Sequence, residues 1–132
     1  MNLSVGMYVR TKHNGIGKIV EYINDATHYF FKCYKLDRDC SNCEEYITKA
    51  DVIEEPSYNI IDLVRENDFV NGEKVSSIQY DGMGFEHIKC VQTICKFDDL
   101  DNRFYTETYF NKDIKSIVTK EQFLQMEYKV GD

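Results

Sequence analysis

The sequence predicts a mainly β fold of the α+β kind: two small antiparallel β-meander or half-open barrel units with one short C-terminal helix. Three observations carry this expectation. Ten Tyr and eight Phe, with no Trp, accompany many Val, Ile and Thr, residues that pack well on a pleated surface. Short alternating runs are separated by turn residues along most of the chain. A single proline, Pro56, punctuates the pattern and suggests an N-terminal unit over 1–55 and a C-terminal unit over 56–132. With 132 residues and 42% hydrophobic content, the chain has enough apolar surface for a packed core.

The elements follow in order. Met7 to Lys12 alternates, His13-Asn14-Gly15 carries the Asn-Gly turn signal, and Gly17 to Ile23 returns as the second arm of a hairpin. Asn24 to Thr27 turns into His28 to Leu36. A polar loop from Asp37 to Glu45 precedes a fourth strand expected over Tyr46 to Ile53. Glu54 to Ser57 breaks the pattern, because a strand does not readily run through a residue that lacks an amide donor. Beyond it Asn59 can cap a short helical turn. Strands are expected over Glu73–Tyr80, Phe85–Phe97, Arg103–Phe110 and Lys112–Val118. Thr119 with Gln122 forms a capping box, and Val118 can staple to Phe123, so a helix is predicted over Lys120–Met126. Tyr128 to Val130 reads as a last strand. The two halves open alike: Gly6-Met7-Tyr8-Val9-Arg10 lines up with Asn67-Asp68-Phe69-Val70-Asn71, a faint repeat compatible with two small barrels of the KOW or Sm-like kind.

The net charge is -7, with 7 basic against 9 acidic residues before Pro56 and 9 against 14 from it onward. Nucleic-acid binding normally needs a basic stripe that displaces counterions from phosphates, and every Lys/Arg cluster here is interleaved with carboxylates. Direct nucleic-acid binding is therefore not expected. An acidic surface suits a basic protein partner, or simply solubility. Neither an export signal nor a membrane-spanning apolar run is seen, and the odd count of five cysteines argues against a disulfide framework. A cytoplasmic monomer is the expectation.

Cys33, Cys40 and Cys43 form the densest group of reactive side chains. A C-x2-C turn presents two thiolates to one ion, and a third cysteine can close another corner of a tetrahedron, for which zinc is the natural occupant. Hairpin geometry with Ile23 opposite His28 and Lys18 opposite Cys33 places His13 at the loop end of the meander, making it the favoured fourth ligand. His28, Cys90 and Cys95 are the alternatives. Unligated thiols, with Cys33 in the core, are the bland reading, and a redox C-x2-C would need a helix after Cys43. No phosphate-binding glycine loop, G-x-S-x-G or H-E-x-x-H is present, and His87 and Asp98-Asp99-Asp101 read as ordinary strand and turn residues. A non-enzymatic role is expected, with any zinc structural.

Asn59 to Val64, Asp68 to Gly72, and above all Asp113 to Phe123 with Met126 to Gly131 resemble small proteins of phages and prophages in low-GC Gram-positive bacteria; the opening Val5 to Lys12 is similar to their N-termini. The resemblance implies a phage origin and a two-part β architecture, and it carries no catalytic motif. The cysteine cluster departs from the usual pattern. Such proteins often block host defence, inhibitors of type II CRISPR nucleases (anti-CRISPR proteins) among them. The expectation is an inhibitor that occludes a type II CRISPR effector nuclease through an acidic surface, with Asp98, Asp99, Asp101 and Glu107 as partner-binding residues. A nucleic-acid-associated regulatory or structural β-module is the alternative, and a zinc hydrolase would need an open metal site.

Overall fold

A computed structural model describes residues 2–24, 29–37, 44–82, 88–98 and 103–130, with the backbone alone at 29, 95–98, 103–104 and 126–130. The chain forms two antiparallel five-stranded sheets and one C-terminal helix, without a closed barrel. The first sheet holds β1 (Tyr8–Thr11), β2 (Gly15–Asn24), β3 (Tyr29–Lys35), β4 (Glu45–Lys49) and β5 (Ile53–Ser57), in the order β4-β3-β2-β1-β5. The second holds β6 (Phe69–Val70), β7 (Glu73–Asp81), β8 (Ile88–Asp98), β9 (Arg103–Phe110) and β10 (Ile117–Val118), in the order β10-β6-β7-β8-β9. Helix α1 spans Lys120–Val130.

The two sheets are one design used twice. In each, four strands run as a meander, a single 3-10 turn follows (Ala50–Val52 or Asn111–Asp113), and the fifth strand returns beside the first. The entry turns match atom for atom. Gly6 and Asn67 both have positive φ, 96° and 74°. The Gly6 amide donates to the Ile19 carbonyl at 2.9 Å and the Ile19 amide to Met7 at 2.8 Å; Asn67 and Val75 repeat this at 3.0 Å, with Val75 donating to Asp68 at 2.8 Å. The side chain three residues into the turn also plays the same part in both. Met7 Sδ accepts from the Ser4 amide, and Asp68 Oδ2 accepts from the Arg65 amide. The aromatic-Val pairs Tyr8-Val9 and Phe69-Val70 open β1 and β6, which gives the faint sequence repeat its structural meaning.

Several boundaries differ from the sequence-based expectation. The strand expected over Tyr46–Ile53 is cut by the 3-10 turn at Ala50–Val52. Pro56 lies inside β5, opposite Val9; β5 is the edge of its sheet and pairs on one side only, so a missing amide donor is tolerated there. In the β2–β3 ladder Ile23 pairs with Phe30 and not with His28, and beyond a bulge between Ile19 and Glu21 Cys33 faces Ile19 and Tyr34 faces Lys18. Of Lys112–Val118 only Ile117–Val118 is strand. The Asp113 carboxylate accepts from the Phe110 amide at 3.1 Å and closes a turn, while Asn71 Oδ1 takes the Lys115 and Ser116 amides. Finally, α1 runs through Val130, so Tyr128–Val130 is helical and not a strand; from Lys120 the residues are mostly good helix formers, and the first glycine is Gly131.

The helix begins where the capping box requires. Gln122 Oε1 accepts from the Thr119 amide at 2.9 Å, and Thr119 Oγ1 accepts from the Gln122 amide at 3.2 Å. The same glutamine donates through Nε2 to the Asn14 carbonyl at 3.2 Å, which docks the helix start on the β1–β2 turn. Gly15 is required in that turn: its φ is 70°, and a methyl group there would strike the Gln122 amide. Phe123 stacks on Phe69, the cross-strand partner of Val118, at 4.6 Å between ring centroids.

Two cores result. Met7, Val9, Ile19, Phe31, Cys33 and Ile53 fill one face of the first sheet. The larger core is shared: Ile16, with Tyr8 and Leu36, comes from the first sheet, Ile60, Ile61, Leu63 and Val64 from the connection, and Val70, Val75, Val91, Ile114 and Ile117 from the second half. Leu36 also links the sheets through its backbone, donating to Ile16 and accepting from Ile117 at 2.7 Å. Between them lies a buried ionic group. Arg10, 2% exposed, donates to both oxygens of the fully buried Asp68 at 2.5 and 2.9 Å, to the Leu63 carbonyl at 2.8 Å and to Glu121 at 3.0 Å. Asp68 also accepts from the Arg65 and Lys120 amides at 2.7 and 3.0 Å. One side chain of β1 is thus tied to the β6 entry turn and to the N-terminus of α1.

Two outcomes follow from this group. Asp68→Ala strands a buried guanidinium and should lower the unfolding free energy by about 3–5 kcal/mol in urea titrations, whereas a loss below about 1 kcal/mol would show that Arg10 finds water instead. For Glu121, burial pulls the carboxyl upward, but its own backbone amide at the helix start and the Arg10 guanidinium outweigh it and hold the group below the ordinary glutamate value. A depressed folded value means that this contribution is full above the unfolded value, about pH 4.3, and is lost as pH falls below it toward the folded value. Glu121→Gln should therefore flatten the acid limb of the stability profile below about pH 4.3, and an unchanged limb would contradict the assignment.

Candidate functional site

The metal ligands expected from the sequence are distributed as follows. Cys33 lies on β3 with its side chain in the first core, wholly buried, beside the Phe31 carbonyl at 4.0 Å. Burial pushes its thiol up to about 11, opposed in part by the Tyr46 hydroxyl. Tyr46 stands opposite Cys33 across β3–β4, and burial first, then the Cys33 sulfur, raises its phenol. Among the described residues that hydroxyl has no geometric hydrogen-bond partner, and the thiol is its polar neighbour. A side chain at Gly17 would strike the Tyr46 hydroxyl and ring edge, which explains the glycine near the start of β2.

His13 is exposed on the β1–β2 turn, with Nδ1 3.4 Å from Gln125 Nε2. The ladder sets Cys33 opposite Ile19, and Gly15 at the His13 turn lies four residues back along β2. At ~3.3 Å per residue this separates Cys33 from the turn by roughly 13 Å. The structure does not bring Cys33 and His13 together. Cys40, Cys43 and His28 lie outside the described residues. The feet of the 38–43 segment do reach the His13 end: Leu36 bonds to Ile16, and Lys35 takes the Glu44 carbonyl at 2.7 Å and forms ion pairs of 3.9 Å with Asp37 and Glu44. Cys90 is buried on β8, its thiol raised by burial and then by Asp81. Cys95 is described by its backbone alone. Among the described residues no group of three or more His, Cys, Asp or Glu is disposed to hold a metal ion.

The acidic residues expected to bind a partner map to the β8–β9 hairpin. Asp98 ends β8 opposite Arg103, and Glu107 is exposed on β9 opposite Thr93; Asp99 and Asp101 lie outside the described residues. Period-two alternation sets Tyr105, Glu107 and Tyr109 on one face of β9. The Tyr109 hydroxyl donates to Glu73, which adds a carboxylate that sequence reasoning did not select. Asp98 and Glu107 are about four strand positions apart by register, roughly 13 Å. Where β9 ends, Ile88, Phe110, Asn111 and Lys112 line an open, mostly apolar cleft of about 450 Å³. Among these lining residues Lys112 alone carries a charge, so they offer shape and apolar contact and no acid–base pair.

Comparison of the chain with protein-family models, curated proteins and solved structures finds no match in any of the three. Among the described residues no helix is long and apolar enough to cross a membrane.

The two placed thiols give a direct check. With both buried and both held in the protonated form, Cys33 and Cys90 should resist a thiol-reactive reagent at pH 8 in the native protein and react only as fast as it unfolds. Rapid modification of Cys33, located by peptide mass mapping, would contradict its placement in the core.

Proposed function

We propose that the protein is a non-catalytic binding module that inhibits a host defence system, with a type II CRISPR effector nuclease as its target. The observation that carries this reading is the sequence from Asp98 to Glu107, which holds four carboxylates (Asp98, Asp99, Asp101, Glu107) against one basic residue, Arg103, and belongs to the β8–β9 hairpin at the edge of a sheet in a chain of net charge -7. Such nucleases hold nucleic acid in a positively charged channel, and an acidic module seated at its mouth excludes DNA by occupancy and charge alone. The resemblance of both chain ends to small phage proteins supports the same assignment. A fold of two repeated five-strand units does not by itself select a function.

A structural zinc completes the reading, held on the 38–43 segment by Cys40 and Cys43 with His13 beside its feet. Cys33 serves here as a core thiol. Metal analysis of protein purified without chelators should give about one zinc per chain, retained in Cys33→Ala and lost in Cys40→Ser. Zinc-free protein, or retention in Cys40→Ser, would rule out this metal site.

The inhibitory role is tested with purified type II effector loaded with guide RNA. The protein should slow DNA cleavage, bind less well as salt rises, and lose inhibition when Asp98, Asp99, Asp101 and Glu107 are all replaced by Lys. Full cleavage at saturating protein would refute the target. Unchanged inhibition by the charge-reversed variant would refute the hairpin as the binding face.

A further inference from the structure

The four sheet edges are not equivalent. The β5 edge carries Pro56, and its Glu54 and Glu55 are bound to Arg65 at 3.2 and 2.7 Å. The β4 edge is five residues long, with Glu45 paired to Lys32 and Lys49 at its end. The β10 edge has two residues. Short length, proline and charge are the devices by which proteins keep an edge from recruiting another strand. β9 lacks the first two and uses the third sparingly: it is eight residues long, without proline, glycine or lysine, Glu107 is the one charged residue of Thr106–Phe110, and among the described residues no strand pairs with its outer side. A bulge between Ile94 and Phe97 disturbs only its first half. From Thr106 to Phe110 five consecutive residues stand in regular register with β8, from Ile94 back to Cys90. That half therefore offers a straight row of backbone donors and acceptors to a further strand.

We infer that β9 is a strand-addition site, at which an extended segment of a partner protein adds to the second sheet along Thr106–Phe110. The inference rests on the binding-module reading above and names its mode of contact. Main-chain bonds supply affinity in this mode, and side-chain pockets supply selectivity. Two features define the chemistry of the occupant. Exposed Glu107 calls for Lys or Arg opposite it. Three positions on, and so on the other face, Phe110 borders the apolar cleft with Ile88, Asn111 and Lys112, which takes an aliphatic or aromatic side chain of the added strand. The occupant is thus an extended segment with a basic residue and an apolar residue three positions apart. A second copy of this chain fits less well, because it brings a charge of -7 against another -7 and its own Glu107 to the same short edge.

The probe is a synthetic peptide, Thr-Leu-Thr-Thr-Lys-Thr-Thr-Leu-Thr, with lysine at its centre and leucine three residues to either side, so that either strand direction is served. Amide hydrogen exchange of the full chain is followed residue by residue with and without it. Alternate amides within Thr106–Phe110 should slow by about tenfold or more, and replacing two threonines of the peptide by proline should abolish the effect. Glu107→Lys should reverse the preference, favouring the peptide with glutamate at its centre. No protection on β9 at peptide concentrations that saturate any binding, or equal protection by the proline-containing peptide, would overturn the inference. Dimer formation in place of peptide binding, read by sedimentation, would also overturn it by making a second copy the occupant. Peptide binding with no inhibition of any nuclease would sink the target assignment and leave strand addition standing. Inhibition that survives replacement of Glu107 together with a peptide-silent β9 would do the opposite.

Discussion

A guanidinium taken out of water must be given a full set of acceptors, and the interlock of the two repeated units depends on how Arg10 obtains them. The bidentate pair with Asp68, the Leu63 carbonyl and Glu121 come from the second entry turn, the 3-10 turn Ile60–Leu63 of the connection and the final helix. A single side chain thereby joins three distant stretches of sequence to β1. The repeat shows how the arrangement is built. Met7 and Asp68 occupy the same position in their turns and accept a bond from the same kind of backbone amide. In the first unit a thioether is enough for this contact. In the second a carboxylate makes it and has a second oxygen to spare for Arg10 and for the Lys120 amide. A substitution at one turn position converts a local cap into the joint between the halves, with the desolvation of both charges offset by six short hydrogen bonds.

What was legible in the sequence was local. The Thr119–Gln122 box, the turn at Asn14-Gly15 and the aromatic-Val openings of both meanders depend on residues within a few positions of one another. The architecture followed because period-two alternation and turn residues set strand number. What was not legible involved partners far along the chain. Nothing near Arg10 announces that Asp68 and Glu121 will meet it. A charged residue between Val9 and Thr11 in an otherwise apolar strand was the available signal, and it reads equally well as a solvated face. The bulge after Ile19 has no sequence mark either, yet it shifts Cys33 by one pairing position, against Ile19. Cys33 illustrates the consequence: spacing grouped it with Cys40 and Cys43, while strand parity turned its side chain into the core. Pro56 misled for a different reason, since proline excludes only the interior of a sheet and β5 is an edge.

The joint also orders the surface on which a partner would act. Arg10 and Leu36 bind the first sheet to the β6–β10 side of the second, which leaves β9 last in line at the other edge, while Val91 of β8 still reaches the shared core. The acidic residues of the hairpin, Glu73 with Tyr109, and the cleft at Phe110 are therefore held by strands whose other edges are occupied or guarded. A sheet edge beside an apolar cleft combines main-chain bonding groups with a side-chain pocket, the two elements that strand addition uses.

The central claim, that Arg10 and Asp68 make one cooperative body of two similar units, is tested most directly by native-state hydrogen exchange in Arg10→Met. In the parent protein the slowest amides of both sheets, such as those of Ile19 and Val91, should open with the same free energy, because neither unit unfolds alone. In the variant the two sets should separate, with one sheet exchanging at markedly lower free energy than the other. Equal opening free energies in the variant, little changed from the parent, would contradict the account and assign the coupling to the shared apolar core.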